Sequence, residues 1–285
     1  MTKRTKRILF YSAIAVFLIL SYIVILYAQG YKYNFSKGIF QKTGAVSLKV
    51  NTGAKIFLND RLMGETSFLN HAFSTDRLLP GRYRVTVQKD DYSIWYKNIA
   101  VEEGTLIDFP NVLILPEEGK DEEELFEKVD LLFKKLEPIP TLKPTSALKK
   151  SSSSPEPIKD LFVLDAKSEK LYQNIDQNNI DQNVEEIAQN VKGFRLSKNK
   201  NKIAWWTNNE LWIMWLNDTN YQPFYKKSDR EIIIRFQLPI QNSAWFEGED
   251  HLILELEQTD IKSRPYSIYR VIEIDKRGGV NIIEL

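Results

Sequence analysis

The stretch TGAKIFLNDRLMGETSF, residues 52–68, decides how the chain is read. A short apolar run, Ile56 to Leu58, enters a polar turn at Asn59-Asp60-Arg61 and continues to a Gly-x-Thr step at Gly64 to Thr66. Asn and Asp tolerate the left-handed backbone of a tight hairpin, so one hairpin is expected here. Upstream, Val46, Leu48 and Val50 alternate with Ala45, Ser47 and Lys49, the period of a strand with one buried face. Downstream, Leu79-Pro80-Gly81 marks a second turn, after which Tyr83, Val85 and Val87 alternate with Arg82, Arg84, Thr86 and Gln88. Trp95, Ile99 and Val101, then Leu106, Ile107, Val112 and Ile114, add two further strands. Short strands between regular turn signals predict a small all-β sandwich over residues 44–116.

Three blocks of that region resemble a PEGA domain: Gly53-Ala54-Lys55-Ile56-Phe57-Leu58-Asn59-Asp60, then Gly64-Glu65-Thr66, then Leu79-Pro80-Gly81-Arg82-Tyr83-Arg84-Val85-Thr86-Val87. The Pro-Glu-Gly-Ala that names the family stands here as Asn51-Thr52-Gly53-Ala54, and Ser67 occupies the place where a Pro often follows the Gly-x-Thr step. The resemblance implies a small surface sandwich without catalysis, of a kind often found in envelope proteins. Gly53, Gly64 and Gly81 are expected to serve turns; a phosphate cradle needs GxxxxGK spacing and a following helix, and neither is present. Asp60, Glu65 and Asp76 are the acids a carboxylate cluster would use, although acids in turns are ordinarily solvated.

The net charge of +1 gives no electrostatic case for nucleic acid. The absence of Cys excludes disulfides, thiolate zinc sites and Cys nucleophiles together. His71 and His251 are the only histidines; each is expected as an ordinary residue in a polar turn, without a His-based triad or metal centre. No catalytic, cofactor-binding or metal-ligating residue is therefore assigned, and a non-enzyme is expected.

Ile8 to Ala28, ILFYSAIAVFLILSYIVILYA, carries no charge and suffices to cross a ~30 Å hydrocarbon core as a helix. Lys3, Arg4, Lys6 and Arg7 precede it, and Tyr27, Tyr31 and Tyr33 follow, rings suited to the membrane–water interface. Residues 8–28 are thus expected to anchor the chain, with a basic tail, residues 1–7, in the cytoplasm and the body outside. Lys32, Lys37 and Lys42 soften the charge asymmetry. A cleaved signal peptide is the rival reading; the long apolar run and the poor small-x-small site at Leu26-Tyr27-Ala28 weigh against it. A buried core helix is the third.

Asp121 to Leu136 places Leu125, Val129, Leu132, Phe133 and Leu136 on one helical face, and Glu124–Lys128 and Asp130–Lys134 are i,i+4 pairs. This helix is expected over residues 121–136, packed on the sandwich or on a partner. Residues 137–158 are Pro- and Ser-rich, and PIPTLKPTSALKKSSSSPEP, residues 138–157, is expected as a linker.

Beyond it, residues 159–285 repeat. Leu196 to Trp205 and Trp245 to Leu254 share an apolar entry, a polar turn and an apolar strand. A second frame aligns Phe162 to Asp165, Ile213 to Asn217 and Val271 to Asp275, each an apolar run ending in an Asx turn. Such a period suggests propeller blades. The run Ser197-Lys198-Asn199-Lys200-Asn201-Lys202-Ile203-Ala204 and the following Glu210-Leu211-Trp212-Ile213 resemble TolB-like propeller blades. The region holds too few blades to close, so an incomplete propeller or a truncated chain is expected. The NIDQN duplication, Asn174 to Asn183, lacks the Gly and alternating acids of a calcium loop. Trp205, Trp206, Trp212, Trp215 and Trp245 are candidates for a sugar- or peptide-binding face, with core packing the stronger expectation. Together these features predict a mostly β, membrane-anchored cell-envelope protein, contacting an envelope protein or cell-surface polysaccharide. The remnant or non-catalytic partner of a propeller-type hydrolase or peptidase is the alternative.

Overall fold

The computed structural model describes residues 2–141, 161–174, 184–260 and 264–285. Residues 142–157 of the expected linker and residues 175–183 of the NIDQN duplication lie outside them. The chain forms two compact units, Met1–Ile114 and Leu115–Leu285.

The first unit opens with α1 (Lys3–Ala28), which is exposed over most of its length and has no buried residue. A hairpin follows, β1 (Tyr31–Asn34) and β2 (Ile39–Lys42). Then come β3 (Gly44–Val50), β4 (Lys55–Leu58), β5 (Arg61–Glu65), β6 (Ala72–Leu78), β7 (Gly81–Gln88), β8 (Trp95–Val101) and β9 (Leu106–Val112). They make two sheets, of order β6-β3-β9 and β5-β4-β7-β8. Strand β3 pairs antiparallel with β6 and parallel with β9. The two sheets share one core: Val46 and Leu48 of β3, Ile56 of β4, Val85 and Val87 of β7, and Trp95 of β8 are all buried. The alternation in β3 and β8 explains this, because every second side chain points to the same face.

The second unit contains α2 (Lys120–Lys134), β10 (Phe162–Asp165), β11 (Lys170–Asn174), β12 (Val184–Ala188), β13 (Gly193–Leu196), β14 (Lys202–Trp206), β15 (Glu210–Trp215), β16 (Arg230–Arg235), β17 (Ile240–Phe246), β18 (His251–Thr259), β19 (Pro265–Glu273) and β20 (Ile282–Glu284). The strands form three separate antiparallel sheets, each following chain order: β10-β11-β12, β13-β14-β15-β16 and β17-β18-β19-β20. Both copies of the first repeat frame fall on the opening hairpin of a four-stranded sheet, β13–β14 and β17–β18. The second frame does not hold its place: β10 is first in its sheet, whereas β15 and β19 are third. An apolar run ending in an Asx turn is a local cue. Asp165 accepts from Lys167 N at 3.0 Å and Asp275 from Arg277 N at 2.9 Å, whatever the strand's rank.

Cationic side chains stitch neighbouring sheets. Arg230 of β16 donates to Ile187 O of β12 at 2.7 Å. Arg195 of β13 donates to Ser243 O of β17 at 3.1 Å. Lys276 donates to Ile232 O of β16 at 2.8 Å.

Helix α2 buries Leu125 and Val129 as its periodicity requires, and its packing partners include residues of the second unit's own sheets. Phe133 packs 5.2 Å from Tyr269 of β19. Lys128 pairs with Glu247 instead of Glu124, and Glu124 pairs with Lys120 at 3.3 Å; Asp130 and Lys134 pair as their spacing predicts. The start of the expected linker is also packed. Ile139 lies against both core clusters of this unit, and Leu164 N donates to Pro140 O at 3.0 Å. Proline favours an extended backbone, so Pro138 and Pro140 present the intervening Ile139 as a strand would.

Candidate functional site

The hairpin of residues 52–68 is built by its own turn chemistry. Asn59 and Asp60 adopt φ of 48° and 62°, and the Asn59 side-chain oxygen accepts from Arg84 N at 2.8 Å. Gly64 lies within strand β5 rather than in a turn, where the register with β4 shifts; a Cβ there would sit 3.2 Å from the Phe73 ring. Gly53 and Gly81 have no positive φ, so close approach at Gly64, not turn geometry, is the clearest glycine requirement of the three. Thr66 closes the hairpin base: its hydroxyl accepts from Ala54 N at 3.0 Å and its N–H donates to Ala54 O at 2.9 Å. The Gly-x-Thr step is thus structural.

Beside that hairpin base opens a groove of about 330 Å³, whose lining includes Lys55, Glu65, Phe68, His71 and Asp90. At its lip Phe68 is 92% exposed and the adjoining Leu69 90%. Lys89, also on the lining, lies 3.6 Å over the Tyr92 ring and donates to Thr52 Oγ1 at 3.1 Å. The groove's lining includes Glu65, His71 and Asp90 but not the other two acids of the expected cluster, Asp60 and Asp76. Asp60 is at the hairpin tip, and Asp76 on β6 pairs with Arg77 at 3.8 Å. Among the described residues no group of three His, Cys, Asp or Glu is placed to hold a metal ion.

A second groove, about 560 Å³, lies in the second unit between α2 and the end of β17, lined by residues including Lys128, Leu131, Lys135, Trp245 and Phe246. Trp245 is fixed there by its Nε1, which donates to Arg195 O at 3.1 Å. The other candidate tryptophans do not divide by period two: Trp205 and Trp206, adjacent on β14, are both buried because that strand is covered on both faces, Trp215 is buried as well, and half-buried Trp212 stacks on Trp205 at 5.9 Å. An apolar floor with a mixed-charge rim suits contact with a chain or a sugar ring.

The unit's strongest polar feature was not singled out from sequence. Lys202, at the start of β14, is 2% exposed and donates to Tyr221 Oη at 3.0 Å, Glu249 O at 2.8 Å and Asp250 at 2.6 Å. Burial lowers its basicity, but the Asp250 charge and the hydrogen bonds to Asp250 and Tyr221 outweigh this, and its pKa stands above the ordinary lysine value. His251 occupies the same position of the repeat, at the start of β18, and is buried, not in a turn. The available signal was a polar residue recurring at the mouth of an apolar strand, Lys202 before Ile203-Ala204 and His251 before Leu252-Ile253. Tyr225, stacked on Trp215 at 3.5 Å, has its pKa raised first by burial and then by its hydrogen bond to Glu231. Lys202 thereby ties the start of β14 to the β17–β18 turn, and Tyr225 ties its loop to β16. No protein-family model and no curated protein matches this sequence.

Proposed function

We propose that this chain is a non-enzymatic, single-pass protein of the cell envelope. In this reading its N-terminus is cytoplasmic, and a PEGA-like sandwich and a blade-like β region are presented outside for protein or glycan binding. The carrying observation is α1. It is long and apolar enough to cross a membrane, and none of its described residues is buried although both units bury ample apolar surface elsewhere. An apolar helix that no core covers is stable only in a medium that does not penalise it, and a bilayer is that medium. Lys3, Arg4, Lys6 and Arg7 ahead of it support the orientation. The grooves of the two units supply surfaces for contact rather than groups for turnover.

Two measurements test this. Protease added to intact cells should digest residues beyond Ala28, and their protection would reverse the orientation. The purified chain should be retained by cell-wall fractions and be inert on esterase, glycosidase and peptidase substrates. Turnover on any of these would overturn the non-enzyme reading.

A further inference from the structure

Only Gln29 and Gly30 separate α1 from the β1–β2 hairpin. Residues 31–42, YKYNFSKGIFQK, hold four aromatic rings, three lysines and no acid. The register pairs Tyr31 with Lys42 and Tyr33 with Phe40, which places these four on one face. The rings form a continuous ladder. Tyr27, in the last turn of α1, meets Phe40 at 6.3 Å; Phe40 meets Tyr33 at 5.2 Å; Tyr33 meets Phe35 at 5.0 Å. At its far end Phe35 is 89% exposed, and Ile39 across the hairpin is 51% exposed.

The hairpin is held at its base. Thr43 donates to Gly30 O through its N–H at 2.9 Å and its hydroxyl at 2.7 Å. Gly104 N, in the β8–β9 turn, donates to Thr43 O at 3.1 Å, and Gln41 reaches Glu103 at 3.2 Å. Asn34 and Gln41, both buried, bond each other at 2.6 Å. The hairpin is therefore a connected collar between the helix end and the sheets; the ring ladder and Lys42 share one face, Lys32 and Ile39 lie on the other, Lys37 is in the turn, and all three lysines are exposed.

We propose that the β1–β2 hairpin is a lipid-binding element lying in the headgroup layer of the outer leaflet. Phe35 and Ile39 reach the acyl boundary, and Lys32, Lys37 and Lys42 face anionic phospholipid headgroups. This rests on α1 being the anchor. If α1 spans, its last turn lies at the interface, and Tyr27 puts the ladder's first rung at that depth. Amphipathic rings and long cationic side chains are the residue types that gain most in this layer. Residues 31–42 themselves bring no acid to repel an anionic lipid surface, and Glu103 of the β8–β9 turn, packed against them, is bonded by Gln41.

The cysteine-free chain makes the test clean, because Phe35→Cys creates a unique thiol. The full chain is reconstituted in phosphatidylcholine vesicles, with or without phosphatidylglycerol, and labelled with an environment-sensitive dye. Quenching by lipids spin-labelled at the headgroup or in mid-chain is then compared with Ser21→Cys and Asp76→Cys. The label at 35 should be quenched most by headgroup quenchers, that at 21 by mid-chain quenchers, and that at 76 by neither. Replacing Lys32, Lys37 and Lys42 by Gln should cut the phosphatidylglycerol-dependent part of the signal roughly twofold or more. A label at 35 as unquenched as that at 76, with 21 quenched, overturns the hairpin proposal and leaves the anchor standing. A label at 21 in water overturns the anchor reading, and the hairpin proposal with it.

Discussion

Asn51 makes bonds that a proline at its position could not. Its N–H donates to Val112 O at 3.0 Å, and its side-chain amide bridges Ile114, donating to the carbonyl at 2.9 Å and accepting from the N–H at 3.0 Å. Asn51→Pro removes all three, and at about 1 kcal/mol each the first unit should lose ~3 kcal/mol in urea unfolding. An unchanged midpoint would mean that the bridge contributes nothing. Val85 and Arg84 are neighbours on β7 with opposite fates, Val85 buried and Arg84 lying over the Tyr96 ring at 4.6 Å. Val85→Asp buries a carboxylate and should unfold this unit, whereas Arg84→Asp should cost only about 0.5–1 kcal/mol. Equal effects would refute the facing of β7. In the second unit, Lys202 and Tyr225 both have pKa values raised by folding. The folded state therefore holds protons that the unfolded state releases above about pH 10, and stability must fall as pH rises from there. Tyr225→Phe keeps the ring and removes one of these groups, so it should flatten the alkaline decline seen by near-UV dichroism. An unaltered decline would show that Tyr225 is not its source.

At the scale of elements, α2 is the instructive case. Its existence and apolar face were legible, because Leu125, Val129 and Leu132 recur at helical spacing. Its location was not, since periodicity names a face and not what covers it. The covering side chains, Phe246 and Tyr269 among them, lie more than a hundred positions along the chain, and Lys128 finds Glu247 there. The alternating strands β3 and β8 were legible for the same reason as the helix, and β7 only in part, because Thr86, expected on its wet face, is buried between Val85 and Val87. Lys202 and His251 were not, because a polar residue at a strand's mouth reads as solvated until its partners are known. Leu125→Ala should lower the second unit's stability by ~2 kcal/mol and leave the first unit's midpoint in place. A shift of the first unit's transition instead would reassign the helix.

For the whole molecule, the separation of cores makes a prediction about cooperativity. The first core is drawn wholly from residues before Leu115; the clusters of the second unit are drawn from residues at and beyond Ile139. Within the second unit, Ile139 touches both clusters, and the Arg195, Arg230 and Lys276 stitches connect consecutive sheets. Its three sheets should therefore melt together, because opening one exposes apolar surface of the next and breaks the part-buried hydrogen bonds of these cations. Among the described residues the core clusters of the two units have no member in common, so each unit should melt by itself. Calorimetry of the full chain in detergent micelles is expected to show two transitions. Val85→Asp should erase one and Lys202→Met should lower the other, the latter by ~3 kcal/mol as Asp250 loses its partner. A single transition moved by both variants would show that the units fold as one. A third transition would show that the stitches between the sheets are too weak to couple them.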